Sequence, residues 1–107
     1  MLVVTMFQKD LLPKLHITLI DRVGNPLDLS QVVRVSFYMG IDSLTLTINN
    51  RALTVLDAGK GICELNWQSG DTNQTGDYEA EVVVVFQGDK PQTAGRFTVR
   101  VEPSLHG

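Results

Sequence analysis

The chain has 107 residues, 43% of them hydrophobic and 20% charged, with a formal net charge of −3 and a pI near 5.2. This is the length of a single domain, about that of a seven-stranded sandwich, with enough apolar content to bury a core. The acidic balance argues against a nucleic-acid partner, and no apolar run approaches the ~20 residues that cross a membrane.

The N-terminus, Met1 to Asp10, lacks a basic start, a long apolar stretch and a small-residue cleavage site, so it does not read as a signal peptide. The first seven residues, M-L-V-V-T-M-F, are apolar and have two readings. They are an arm that docks on a neighbour, with Leu2, Val3, Val4 and Phe7 as its contact residues, or they are the first strand of the chain's own sheet.

From Lys14 onward, period-two alternation dominates. Leu15, Ile17 and Leu19 share one face of a strand and Lys14, His16 and Thr18 the other. Asp21 to Pro26 is a turn. A strand from Val32 to Met39 follows, with Val33, Val35, Phe37 and Met39 alternating with Arg34, Ser36 and Tyr38. Leu44, Leu46 and Ile48 alternate with threonines, Asn49-Asn50 reads as a tight hairpin, and Arg51 to Leu56 returns from it. After a turn at Asp57–Gly61, Cys63, Leu65 and Trp67 share a face.

The longest strand is expected from Asp77 to Gln87. Tyr78, Ala80, Val82, Val84 and Phe86 form one face, and Val83 and Val85 continue the other as an apolar strip. A turn at Gly88–Pro91 leads to a last strand from about Thr93 to Val101. Residues 1–9 are thus an arm or first strand, 10–102 the folded domain and 103–107 an exit linker. Seven or eight strands without a helical segment predict an all-β, immunoglobulin-like sandwich of antiparallel strands. Cys63 is the one cysteine, so no intrachain disulfide forms, which suits a reducing compartment.

Chemistry-bearing residues are sparse. His16 and His106 lie far apart, and a zinc site needs three or four convergent ligands. Cys63 shares its face with Leu65 and Trp67, as a core residue does, rather than standing exposed beside a base. Glu79 and Glu81 are neighbours on one strand face, and a domain of this size leaves little room for a glycosidase cleft between them. Asp71, Asn73 and Asp77 hint at a calcium loop, but hydrogen bonding of the loop and corner accounts for them more simply. Gly59-Lys60-Gly61 precedes a strand, not a helix, and is no phosphate loop. No catalytic group, cofactor, metal or small-molecule substrate is expected. Aromatic platforms on sandwiches can stack sugars, and Trp67 and Tyr38 are the two residues of that type, with Trp67 patterned as core.

The stretch Trp67 to Phe86 carries the most information. A polar loop ends at Gly76, and Tyr78 then opens the long strand, the order of an immunoglobulin-type tyrosine corner. Ala80 stands where an antibody domain would have cysteine, and Trp67 precedes the loop instead of lying on an earlier strand. Trp67, Gly76 and Tyr78 therefore read as structural anchors.

The run W-x-x-x-D-T…T-G-D-Y-E-A-E-V, starting at Trp67, resembles the N-terminal immunoglobulin-like domain of bacteriophage baseplate upper proteins, modules of tail receptor-binding assemblies. Other segments are similar too. They are G-N-P-L-D-L-S from Gly24 with the V-x-V-x-F strand that ends at Phe37, D-A-G-K-G-I-C-E-L-N-W from Asp57, and R-F-T-V-R-V from Arg96. The resemblance spans roughly Asp10 to Val101, whereas in the family this domain is followed by a long linker and further domains.

The resemblance implies a virion structural or adaptor protein of the baseplate or tail. It would be assembled in the host cytoplasm, bind other phage subunits, and form a homo-oligomer in a symmetric assembly. The apolar residues at 2–4 and 7, with Val83 and Val85, are the expected contacts. A carbohydrate- or cell-surface-binding module and a capsid decoration protein are the alternatives.

Overall fold

The computed structural model describes residues 3–42 and 44–105, so Leu2 and His106 lie outside the described residues. Within these residues the chain is all-β. The strands are β1 (Val3–Phe7), β2 (Leu15–Thr18), β3 (Val32–Asp42), β4 (Thr45–Ala52), β5 (Thr54–Asp57), β6 (Ile62–Leu65), β7 (Gly76–Phe86) and β8 (Lys90–Glu102). They form a five-stranded sheet of order β1-β8-β7-β3-β4 and a three-stranded sheet of order β2-β6-β5. The pairings are antiparallel, save that β1 runs parallel to β8.

The chain changes sheets between β1 and β2, between β2 and β3, between β4 and β5, and between β6 and β7. That order matches the G-F-C-C′ and B-E-D sheets of a variable-type immunoglobulin sandwich, and there is no disulfide because Cys63 is unpaired.

Alternation places the core. Tyr78, Ala80, Val82 and Val84 of β7, Val35, Phe37 and Met39 of β3, and Val99 and Val101 of β8 are buried facing Cys63 and Leu65 of β6. Each such side chain contributes roughly 1.5–3 kcal/mol by leaving water, with Ala80 and Cys63 contributing less. Phe37 is buried on β3, the strand that corresponds to strand C, where antibody domains keep a tryptophan. Trp67 follows β6 and packs edge-on against it, with ring centroids 6.5 Å apart and an interplanar angle of 87°.

Val3–Phe7 is a strand of its own sheet, so the strand reading, not the free arm, describes these residues. Met6 is buried at the sandwich edge, and the Gln8 and Lys9 amides continue the pairing onto the Glu102 and Thr72 carbonyls.

Asn49-Asn50 is not a hairpin. β4 runs straight through it to Ala52, and the chain crosses to the other sheet at Leu53, so Arg51 and Ala52 do not belong to a returning strand. Asn50 takes φ 57° within an irregular stretch of the β3–β4 ladder, between the pairs Phe37↔Arg51 and Met39↔Ile48. The left-handed conformation that suits asparagine to a hairpin turn also suits it to a bulge. Arg34 stabilises the bulge by donating from Nη2 to the Asn50 carbonyl at 2.6 Å.

Gly61 is required for a different reason. Its φ is 68°, and a Cβ there would lie 2.6 Å from the Leu19 carbonyl oxygen and 2.8 Å from that of Leu27. The close approach lets the Leu19 amide bond the Gly61 carbonyl at 2.8 Å, which ties β2's exit to the turn before β6.

Candidate functional site

The tyrosine corner forms at the start of β7. Gly76 enters the strand with φ 144°, and the Tyr78 hydroxyl donates to the Gln74 carbonyl at 2.7 Å. Tyr78 is buried, which pushes its phenol pKa up. Trp67 is buried against Phe37, and its indole Nε1 finds no acceptor among the described residues. Both aromatic residues sit in the packing, as structural anchors do, and neither faces solvent.

The loop between β6 and β7 is held by an ion pair that nothing in the sequence pattern announces. Arg51 of β4 donates from Nη1 to Asp71 Oδ2 at 2.5 Å and from Nη2 to Oδ1 at 3.1 Å, and the Gln68 amide donates to Oδ2 at 2.6 Å. Asp77 is engaged elsewhere, by Arg100 at 2.8 Å, and that guanidinium holds its carboxyl below the usual carboxylate range. The calcium hint at Asp71, Asn73 and Asp77 is thus two carboxylates bound to two different arginines. Among the described residues no group of three or more His, Cys, Asp and Glu side chains is placed to hold a metal ion.

His16 lies on the solvent side of the three-stranded sheet, 2.8 Å from Glu64 across the β2–β6 pair. Cys63 is fully buried, and burial pushes its thiol pKa up, the opposite of what a nucleophile needs.

The predicted contact residues divide. Val3 and Phe7 are exposed, at 40% and 50%, on the outward face of β1, while Val4 is half-buried. Val83 and Val85 do lie on the outer face of the five-stranded sheet, but each is half-buried, so they form no open apolar strip. Arg34 stands beside Val85 across the β3–β7 pair and runs along β3, with Nε donating to Ser36 Oγ at 2.8 Å, so its aliphatic stem lies over this part of the face.

That outer face carries a cleft of about 500 Å³. Its lining includes a row across four strands, Thr98–Glu79–Gly40–Leu46, in register. The neighbouring row is Arg96–Glu81–Tyr38, in which Arg96 Nε donates to Glu81 Oε2 at 2.8 Å. Gly40 lets β4 approach β3 closely, since a Cβ there would collide with the Thr45 carbonyl and lie 2.8 Å from Leu46 Cδ2, so the Leu46 side chain covers this position. Tyr38 is braced by its hydroxyl, which donates to Asn50 Oδ1 at 3.3 Å. Asp42 closes one end and accepts the Leu44 and Thr45 amides, each at 2.8 Å.

Of these lining residues, sequence reasoning singled out Tyr38, Glu79 and Glu81, and did not bring them together. Gly40, a glycine inside a strand whose expected end was Met39, signals the close approach of β4 and not the cleft itself.

No protein-family model matches this chain, and no curated protein matches it.

Proposed function

We propose that this chain is a structural adaptor of a bacteriophage virion, located at the baseplate or tail, which binds neighbouring virion subunits and self-assembles in symmetric copies. It works by protein–protein contact, not by catalysis, and reaches the virion by assembly in the host cytoplasm. The observation that carries this reading is the outer edge of β1, which pairs with no other strand among the described residues, at the sheet's end, with Val3 and Phe7 turned outward to solvent. Such an edge offers unpaired backbone groups and apolar anchors together, the combination that strand addition from a neighbour uses. The immunoglobulin-like sandwich and the four sequence segments that resemble baseplate upper proteins support the same reading. Ile41 and Leu44, exposed around the β3–β4 turn, supply further apolar surface at the opposite edge of the sheet.

Light scattering on the purified chain tests the self-assembly. The expected result is an oligomer at about 100 µM that the double substitution Val3→Lys, Phe7→Lys converts to a folded monomer. An oligomer untouched by that substitution contradicts the role given to β1, and a monomer at every concentration contradicts self-assembly.

A further inference from the structure

We infer that the outer-face cleft is a binding site for a neutral saccharide unit, a role separate from the adaptor function and not dependent on it. The cleft volume of about 500 Å³ lies within the range of small-molecule sites, about 300–1,000 Å³.

Its walls combine two kinds of surface. Tyr38, braced on Asn50, and Leu46, 40% exposed on the next strand, give an aromatic and an aliphatic wall. Such surface suits the C–H face of a pyranose ring. Gly40 lets the Leu46 side chain lie against β3, which sets the aliphatic wall close to the sheet.

The polar groups point to the same class of ligand. Glu79 has no hydrogen-bond or ion-pair partner among the described residues, so its oxygens are open acceptors. In the next row Arg96 places guanidinium N–H donors beside Glu81. Donors and acceptors thus alternate over adjacent positions. Vicinal hydroxyls, each both donor and acceptor, match that alternation. A bare anion would face Asp42, Glu79 and Glu81, while Arg96, the one cationic side chain of the lining, is paired with Glu81. The lining groups stand on paired strands, not on a mobile loop, so the site is preorganised.

The test is an amide NMR titration of the whole chain with cellobiose, lactose, chitobiose and rhamnose, each up to about 20 mM, a level at which a millimolar site is saturated. Arginine methyl ester and inorganic phosphate serve as cation and anion probes. The expected result is that at least one saccharide shifts amides within 38–42, 79–81 and 96–98. Tyr38→Ala should then weaken that saccharide about tenfold or more, and Glu79→Gln by roughly threefold to tenfold. Should Tyr38→Ala lose its dispersed spectrum, Glu79→Gln, a change at an exposed side chain, carries the test. The inference is overturned if no saccharide shifts the cleft. It is also overturned if the shifts survive unweakened in the folded variants, or if the cleft answers to arginine methyl ester or phosphate alone.

Discussion

The Tyr78 hydroxyl donates to the Gln74 carbonyl at 2.7 Å, four residues upstream, and so ties the first turn of β7's entry to the strand itself. Tyr78→Phe keeps the ring in the core and removes that bond alone. We expect a loss of about 1 kcal/mol, the usual net worth of one hydrogen bond, with the circular dichroism spectrum unchanged. Urea denaturation of the two proteins measures it, and equal midpoints would show that the corner bond is idle.

The fork between Arg51 and Asp71 should matter more. Asp71 is 6% exposed and its carboxylate also accepts the Gln68 amide, so removing the arginine strands a buried charge. Arg51→Ala and Asp71→Ala are each expected to cost about 3 kcal/mol, and the double variant much less than the sum of the two. A double-mutant cycle by denaturant unfolding checks this, and additive losses would mean that the pair is not coupled.

The parts of the fold legible in the sequence are those set by local periodicity. β7 and its inward row from Tyr78 to Val84 follow from alternation, and the corner follows from a glycine and a tyrosine two residues apart. What escaped depends on partners far along the chain. Asn50 in the left-handed conformation is equally the mark of a turn and of a bulge, and only the pairing of β4 with β3 along its length distinguishes them. Arg51 and Asp71 are twenty residues apart and share no pattern.

The cleft was hidden by a single residue of register. From the pair Phe86↔Lys90 an unbroken ladder would place Glu81 opposite Gly95, but a shift between Val82 and Val83 places it opposite Arg96. That shift assembles the Arg96–Glu81–Tyr38 row.

Gly61 and Gly70 separate two costs that a sequence cannot distinguish. Both have positive φ, but a Cβ at Gly61 would meet the Leu19 and Leu27 carbonyl oxygens, whereas one at Gly70 meets nothing within 4 Å. Gly61→Ala should destabilise by about 3–4 kcal/mol and Gly70→Ala by about 1–2 kcal/mol, as judged by thermal and chemical unfolding. Similar losses at the two sites would contradict the close packing around Gly61.

Cys63 supplies a probe of opening and of alkaline stability. Burial raises its thiol pKa, and burial likewise raises the Tyr78 phenol. A raised folded pKa gives stability that is fully present below the unfolded value. It is lost as pH rises from that value through the folded one, so folding should weaken above about pH 8.5, where unfolded thiols ionise. Cys63→Ala should flatten the first part of that decline in urea midpoints measured against pH. A thiol reagent should label Cys63 only as fast as the chain opens, and immediate labelling of the native protein would contradict its burial.

The central claim, that this chain is a virion adaptor at the tail or baseplate, is tested most directly by immunogold electron microscopy of phage particles released from cells that carry its gene. The account predicts gold at the tail or its end, in several copies per particle. Particles without label, with the chain left in the soluble lysate, would contradict it.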